Sequence, residues 1–148
     1  MRDASPAPIL RPAFLLALLA AGCGRGDGPD KLVPVRGKIT LDGQPLTSGS
    51  VSFRPDDSRG NTSQDQPYAI LDEQGHYELK TAKWAGAPPG WYKVMVLAPE
   101  EPGEWKAGRP PPPRSRINAR YARPETTDLA VEVVEKPGPN AYDLQVTR

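Results

Sequence analysis

The sequence contains a single cysteine, Cys23, and a single histidine, His76. One cysteine cannot form an internal disulfide, so the stability of the fold must come from its hydrophobic core. Zinc enzymes need clustered histidine, cysteine or carboxylate ligands. A Ser-His-Asp triad would have to use His76, but the sequence has no Gly-x-Ser-x-Gly motif. The composition therefore predicts a protein that is not an enzyme, with no catalytic residue, no metal site and no cofactor.

An excess of one charge and a long apolar run are also absent. The chain of 148 residues has 19 Lys and Arg against 18 Asp and Glu. Nucleic-acid binding usually shows as a strongly basic patch or a high pI, so we expect no nucleic-acid partner. The apolar run at residues 12–21 is too short to span a membrane, because a membrane-spanning helix needs roughly 20 apolar residues.

The apolar run ends directly before the lone cysteine. It follows Arg2 and Arg11, and this order of a basic start and a short apolar core is typical of a secretory signal peptide. The residues Ala20-Ala21-Gly22-Cys23 resemble a bacterial lipoprotein signal, with Ala20 where that family most often has Leu. The alternatives are an ordinary secretory signal followed by a free thiol, or a cysteine in the core.

The lipoprotein resemblance implies cleavage between Gly22 and Cys23 and attachment of lipid to Cys23. The family carries a diacylglyceryl thioether and usually an amide-linked acyl chain, and two or more chains hold a protein stably on a membrane. Gly24 resembles lipoproteins that leave the inner membrane, so the outer membrane is the favoured location. We therefore predict a signal peptide at 1–22, a flexible tether at 23–31 and one domain at 32–148.

The domain alternates apolar and polar residues in short segments separated by Gly and Pro. The predicted strands are 33–41, 50–54, 68–71, 76–80, 91–97, 129–133 and 142–146. The residues expected to point inward are Val33, Val35, Ile39, Leu41, Val51, Phe53, Tyr77, Leu79, Tyr92, Val94 and Val96. Asp72-Glu73-Gln74-Gly75 predicts a β-hairpin turn with Gly75 in the left-handed conformation. Together these segments predict an all-β fold, a single antiparallel β-sandwich of about seven strands.

The order of the segments resembles carboxypeptidase regulatory-like domains, which have a transthyretin-like sandwich. The matching motifs are Val35-x-Gly37-x-Ile39-x-Leu41-Asp42-Gly43-x-Pro45-Leu46, Val51-x-Phe53-x-Pro55 and Asp72-x-x-Gly75-x-Tyr77-x-Leu79. Small bacterial lipoproteins with one such domain continue with motifs similar to Pro89-Gly90-Trp91-Tyr92-Lys93-Val94 and Ile117-Asn118-Ala119-Arg120-Tyr121. Asn118 stands where that family usually has Pro. The resemblance implies a non-catalytic module, because the zinc ligands of the named enzymes belong to a separate domain.

Trp84, Trp91 and Trp105 are the candidate binding residues. Exposed aromatic rings on a sandwich are common contact points for sugars or proteins; the alternative is that loops fold back and bury them. Asp56, Asp57 and Asp65 share one polar loop, which is either a solvated loop or a weak calcium candidate. The run of prolines at 110–113 is either a docking peptide or a rigid spacer.

These observations lead to one main expectation and several alternatives. We expect a lipid-anchored, non-catalytic module of the bacterial cell envelope that is structural or binds a ligand or partner. Its partners would be the membrane, through the lipid on Cys23, and an envelope protein or polysaccharide. The alternatives are a carbohydrate-binding protein that uses the Trp residues, an assembly module that pairs through its edge strands, and a transthyretin-like hydrolase. The hydrolase is disfavoured because it relies on several histidines.

Replacing Cys23 with Ser tests the anchor. Ser has no thiol to accept the diacylglyceryl group, so Cys23→Ser should lose acyl labelling in cells and leave the membrane fraction or accumulate unprocessed. Continued acyl labelling of Cys23→Ser would show that lipid is attached elsewhere or that the signal is misread.

Overall fold

The computed structural model describes residues 31–101, 108 and 110–148. The predicted signal peptide, Cys23 and the tether up to residue 30 lie outside the described residues, as does Trp105. Within the described part, no helix is long and apolar enough to cross a membrane.

The described residues form ten strands and two short 3-10 helices. The strands are β1 (Arg36–Leu41), β2 (Gln44–Pro45), β3 (Ser50–Pro55), β4 (Tyr68–Ile70), β5 (His76–Glu78), β6 (Lys80–Thr81), β7 (Trp84–Ala85), β8 (Gly90–Leu97), β9 (Ala130–Val133) and β10 (Leu144–Val146). The 3-10 helices are Asp57–Arg59 and Ala119–Ala122. Three of the strands have only two residues, which leaves seven longer ones. The prediction of about seven strands is confirmed.

The strands form two sheets that do not close into a barrel. The four-stranded sheet has the order β10-β1-β2, with β5 also paired to β1. The six-stranded sheet has the order β7-β6-β4-β3-β8-β9. All pairs are antiparallel except β1 with β10, which is parallel. The predicted all-β sandwich is confirmed, with one parallel pair that the sequence did not indicate.

The core lies between the sheets and contains the predicted inward residues. All of them are buried except Leu41, which is half-buried at the rim. The rings of Phe53 and Tyr92 lie 5.7 Å apart, and those of Phe53 and Tyr77 lie 6.3 Å apart. These two contacts join β3 to β8 within one sheet and to β5 in the other. Burying one large apolar side chain contributes about 1.5–3 kcal/mol, so this cluster is a main source of cohesion between the sheets.

The predicted hairpin around Gly75 is only partly correct. The turn forms, with the Gly75 N–H donating to the Asp72 carbonyl over 3.0 Å and Gly75 at φ 78°. The two flanking strands, however, pair with different sheets: β4 pairs with β3, and β5 pairs with β1. Of the residues in the two predicted hairpin strands, 68–71 and 76–80, only Tyr68 and Lys80 are aligned with each other. Residues 76–81 therefore change partners midway and carry the chain from one sheet to the other.

Gly37 is required where β1 passes the segment before β10. A Cβ at Gly37 would overlap the backbone carbonyl of Tyr142 and approach the Tyr77 ring to 3.0 Å. Both neighbours are fixed, because Tyr77 is part of the core and its hydroxyl donates to the Tyr142 carbonyl over 2.6 Å. A side chain at this position would have to push the β10 segment away from β1.

We therefore predict that Gly37→Ala lowers the free energy of unfolding by about 1–3 kcal/mol, the usual cost of overpacking. Urea unfolding measures it. Gly138→Ala is the matched control, because no atom lies within 4 Å of a Cβ there. Equal stability of the two variants would contradict the assigned role of Gly37.

Candidate functional site

The two described tryptophans lie far apart in the six-stranded sheet. Trp84 is in the edge strand β7, and Trp91 is in β8, with β6, β4 and β3 between them. At a strand spacing of ~4.8 Å, four steps separate the two strands by about 19 Å. The structure therefore does not bring Trp84 and Trp91 into one site, and Trp105 lies outside the described residues.

Trp91 is partly covered by the loop between β3 and β4. The guanidinium of Arg59 lies 4.4 Å from the centre of the Trp91 ring, in a cation–π arrangement. The same loop is fastened to the Trp91 backbone: the Asp56 N–H and the Asn61 side-chain amide both donate to the Trp91 carbonyl, over 3.0 and 2.8 Å. Trp91 is consequently half-buried rather than freely exposed. For Trp91, the alternative that a loop folds back over the ring is therefore correct.

The acidic loop uses Asp56 as a structural residue. Its carboxylate accepts from the Ser58 hydroxyl over 2.6 Å and from the Ser58 N–H over 3.2 Å, and so caps the first 3-10 helix. The Ser58 hydroxyl is the main reason that the pKa of Asp56 lies below its ordinary value of 3.8; burial opposes this, and Lys93 and Arg59 add to it. In the described part of the chain, no three His, Cys, Asp or Glu residues are grouped to hold a metal ion.

His76 lies in an open groove at the corner where the chain changes sheets. The groove has a volume of about 880 Å³, and its lining includes Tyr68, Asp72, His76 and Glu78. His76 Nδ1 is 3.4 Å from the Asp72 carboxylate. Among its described lining residues there is no Ser, Thr or Cys. The groove therefore pairs His76 with a carboxylate, but offers it no hydroxyl or thiol nucleophile of the triad type.

Next to this groove, which Tyr68 and Ile70 also line, one face of the six-stranded sheet gathers most of the exposed large apolar side chains of the described residues. We define the outer face as the outward-pointing residues of β4, β3 and β8. On it, Ile70, Ser50 and Leu97 form one cross-strand row. Tyr68, Ser52 and Met95 form the next row. The exposed fractions of Tyr68, Ile70 and Leu97 are 51%, 69% and 51%. Each row thus has a serine of β3 between an apolar residue of β4 and an apolar residue of β8. Together the two rows form a shallow apolar strip.

The outer face also carries positive charge. Lys80 is aligned with Tyr68, and Arg54 lies directly opposite Lys93. Like charges directly opposite each other destabilise a sheet, so the Arg54–Lys93 pair has a cost. Asp56 offsets part of it through its attraction to Lys93. Outward-pointing residues of β9 continue this face beyond β8. Among the described outward-pointing strand residues from β6 to β9, only Glu132, which lies opposite Trp91, is acidic. The strand positions that border the strip are therefore cationic, and the loop residues Asp57 and Glu125 lie beside Arg54 and Lys93.

The outer face could not be predicted from the sequence. Ile70 and Leu97 lie in predicted strands, but each is only one outward apolar residue at a strand end. Their alignment through Ser50 depends on the pairing of β4 and β8 with the two sides of β3. No signal within either segment specifies that pairing.

The chain was compared with protein-family models, curated proteins and solved structures, and no match was found in any of them. The described residues nevertheless define the fold class, an all-β sandwich of two sheets.

The Asp56 carboxylate should make the free energy of unfolding of the protein depend on pH. Because its folded-state pKa is lowered, its carboxylate stabilises the fold above the unfolded pKa of about 4, and this contribution is lost as the pH falls through the folded-state pKa. Wild type should therefore be more stable than Asp56→Asn at about pH 7, and the difference should shrink towards about pH 2. Urea unfolding of both proteins across this range measures the difference.

Asp57→Asn is the control, because it removes the same charge from the exposed neighbouring residue. A difference between wild type and Asp56→Asn that stays constant from neutral to acidic pH would show that the Asp56 carboxylate is not the titrating group.

Proposed function

We propose that this protein is a lipid-anchored, non-catalytic β-sandwich of the bacterial cell envelope that binds a protein partner through its outer face. The anchor is supported by the resemblance of the N-terminal segment up to Cys23 to a bacterial lipoprotein signal. The binding role is supported by one observation above the others: three of the four exposed large hydrophobic residues in the described chain lie on the outer face.

The chemistry of the strip favours a protein with an acidic border around an apolar centre. Ile70 and Leu97 are aliphatic, and aliphatic side chains pack well against other apolar side chains. Sugar-binding surfaces depend instead on flat aromatic rings, and Trp84 and Trp91 lie on strands that are four strand spacings apart, about 19 Å at ~4.8 Å per spacing. Arg54, Lys80 and Lys93 would attract an acidic partner and fix its orientation.

The interior of the strip is suited to close contact. Ser50 and Ser52 are small and half-buried, so a partner side chain can reach the sheet between Ile70 and Leu97. The inward neighbours of these serines, Val51 and Phe53, are fully packed in the core. The sheet therefore presents a preformed surface, which reduces the entropy lost on binding.

Site-specific photocrosslinking in intact cells tests the binding face. A photoreactive residue at Ser52 should give one discrete protein adduct, because Ser52 lies at the centre of the strip. Ile70→Glu and Leu97→Glu should each lower the yield of that adduct by about tenfold, the effect of about 1.4 kcal/mol of lost binding free energy. Thermal unfolding of the purified variants checks that both remain folded.

A photoreactive residue at Gln145 is the matched control, because Gln145 is exposed on β10 of the opposite sheet. An adduct at Ser52 that survives both Glu substitutions, or the same adduct from Gln145, would contradict binding through the outer face. An adduct whose added mass is removed by glycosidases would instead indicate a polysaccharide.

A further inference from the structure

Among the described residues, the fourth exposed large apolar side chain is that of Trp84, which lies beside the point where the chain enters the sandwich. Val33 and Ala87 exchange two backbone hydrogen bonds, each of 2.9 Å. Gly86 packs so closely on the Val33 carbonyl that a Cβ at Gly86 would overlap it. Trp84 is three residues from Ala87, in the two-residue edge strand β7. The first described residues of the domain and Trp84 therefore lie at the same edge of the fold.

Trp84 projects from an exposed turn that also carries a cation. Residues 82–85 are all exposed, and the exposed fraction of Trp84 is 43%. The Lys83 ammonium lies 5.0 Å from the centre of the Trp84 ring. An indole ring with an adjacent lysine suits the boundary between water and lipid, because the ring is apolar with one polar N–H and the lysine can reach the charged headgroups.

The covalent length of the chain keeps this edge close to the anchor. Ten residue steps join Cys23 to Val33, and they can span at most about 33–36 Å. If Cys23 carries the lipid, Val33 and the edge of the fold beside it must lie within about 33–36 Å of the membrane surface. A tethered group meets its target at high effective concentration, so even a weak contact is populated.

We propose that the Lys83-Trp84 turn is a second membrane contact, which places the Trp84 ring at the headgroup level and Lys83 against anionic lipid phosphates. This inference rests on the proposed lipid anchor. It also gives the sandwich an orientation, with the β7 edge of the six-stranded sheet towards the membrane. Strands β4, β3 and β8, which carry the outer face, begin two strands further across that sheet and stay open to a partner.

Tryptophan fluorescence in vesicles tests the contact. The mature lipidated protein with Trp91→Phe and Trp105→Phe retains Trp84 as its only tryptophan. It is reconstituted into vesicles of phosphatidylethanolamine with a smaller share of phosphatidylglycerol, with or without bromine on the acyl chains near the headgroups. Brominated lipid should lower the fluorescence of Trp84, because an indole at the headgroup level lies close to the bromine atoms. Lys83→Glu should reduce this quenching.

The matched control retains only Trp91, which is half-buried beneath Arg59 on a distant strand and should not be quenched. Flotation of the vesicles reports the anchor separately. Protein that floats with the vesicles while Trp84 stays unquenched would overturn the membrane contact and leave the anchor intact. Protein that fails to float would overturn the anchor and, with it, this inference.

Discussion

The contact between Phe53, Tyr77 and Tyr92 holds the two sheets together, and the rest of the structure depends on it. Phe53 touches one tyrosine from each sheet. Both tyrosine hydroxyls are used: Tyr77 donates to the Tyr142 carbonyl and Tyr92 to the Pro88 carbonyl, over 2.6 and 2.8 Å. Burial raises the pKa of Tyr77 well above its ordinary value, so its hydroxyl stays protonated and remains a donor. A sandwich with only one cysteine in its sequence relies on such packing for its cohesion.

The buried cluster also determines what the surface presents. Because Phe53 and Tyr92 must point inward, the alternation of side chains turns Ser52 and Trp91 outward. The pairing of β3 with β4 and β8 then aligns Ile70, Ser50 and Leu97 in one row. The apolar strip is thus a consequence of core packing combined with the choice of apolar residues at the outward positions. That choice is unexpected on a solvated face, and it is the reason to propose a partner.

Local alternation was enough to predict most of the strands and nearly all of the core. The predicted inward residues of β3 and β8 are buried, namely Val51, Phe53, Val94 and Val96. Alternate side chains of a strand point to the same face, so the pattern of apolar residues identifies the face that packs in the core. Strand partners could not be predicted in the same way. Strand β5 pairs with β1 rather than with β4, and this depends on contacts between residues far apart in sequence.

The candidate site was predictable to a smaller degree. Trp84 was identified from its residue type and is exposed. Trp91 was identified in the same way, but Arg59, which is 32 positions away in the chain, covers its ring. The outer face was not predicted at all, since it exists only once three strands are in register. Asp56 was interpreted as one of three loop carboxylates, whereas its hydrogen bonds to Ser58 make it a helix cap.

The anchor at Cys23 is the claim on which the envelope location, the orientation and the membrane contact all depend. Intact-mass spectrometry of the protein purified from membranes tests it most directly. A lipid anchor at Cys23 predicts a chain that begins at Cys23, lacks residues 1–22, and carries the added mass of a diacylglyceryl group. A chain that begins at another residue, or that carries an unmodified Cys23, would contradict it.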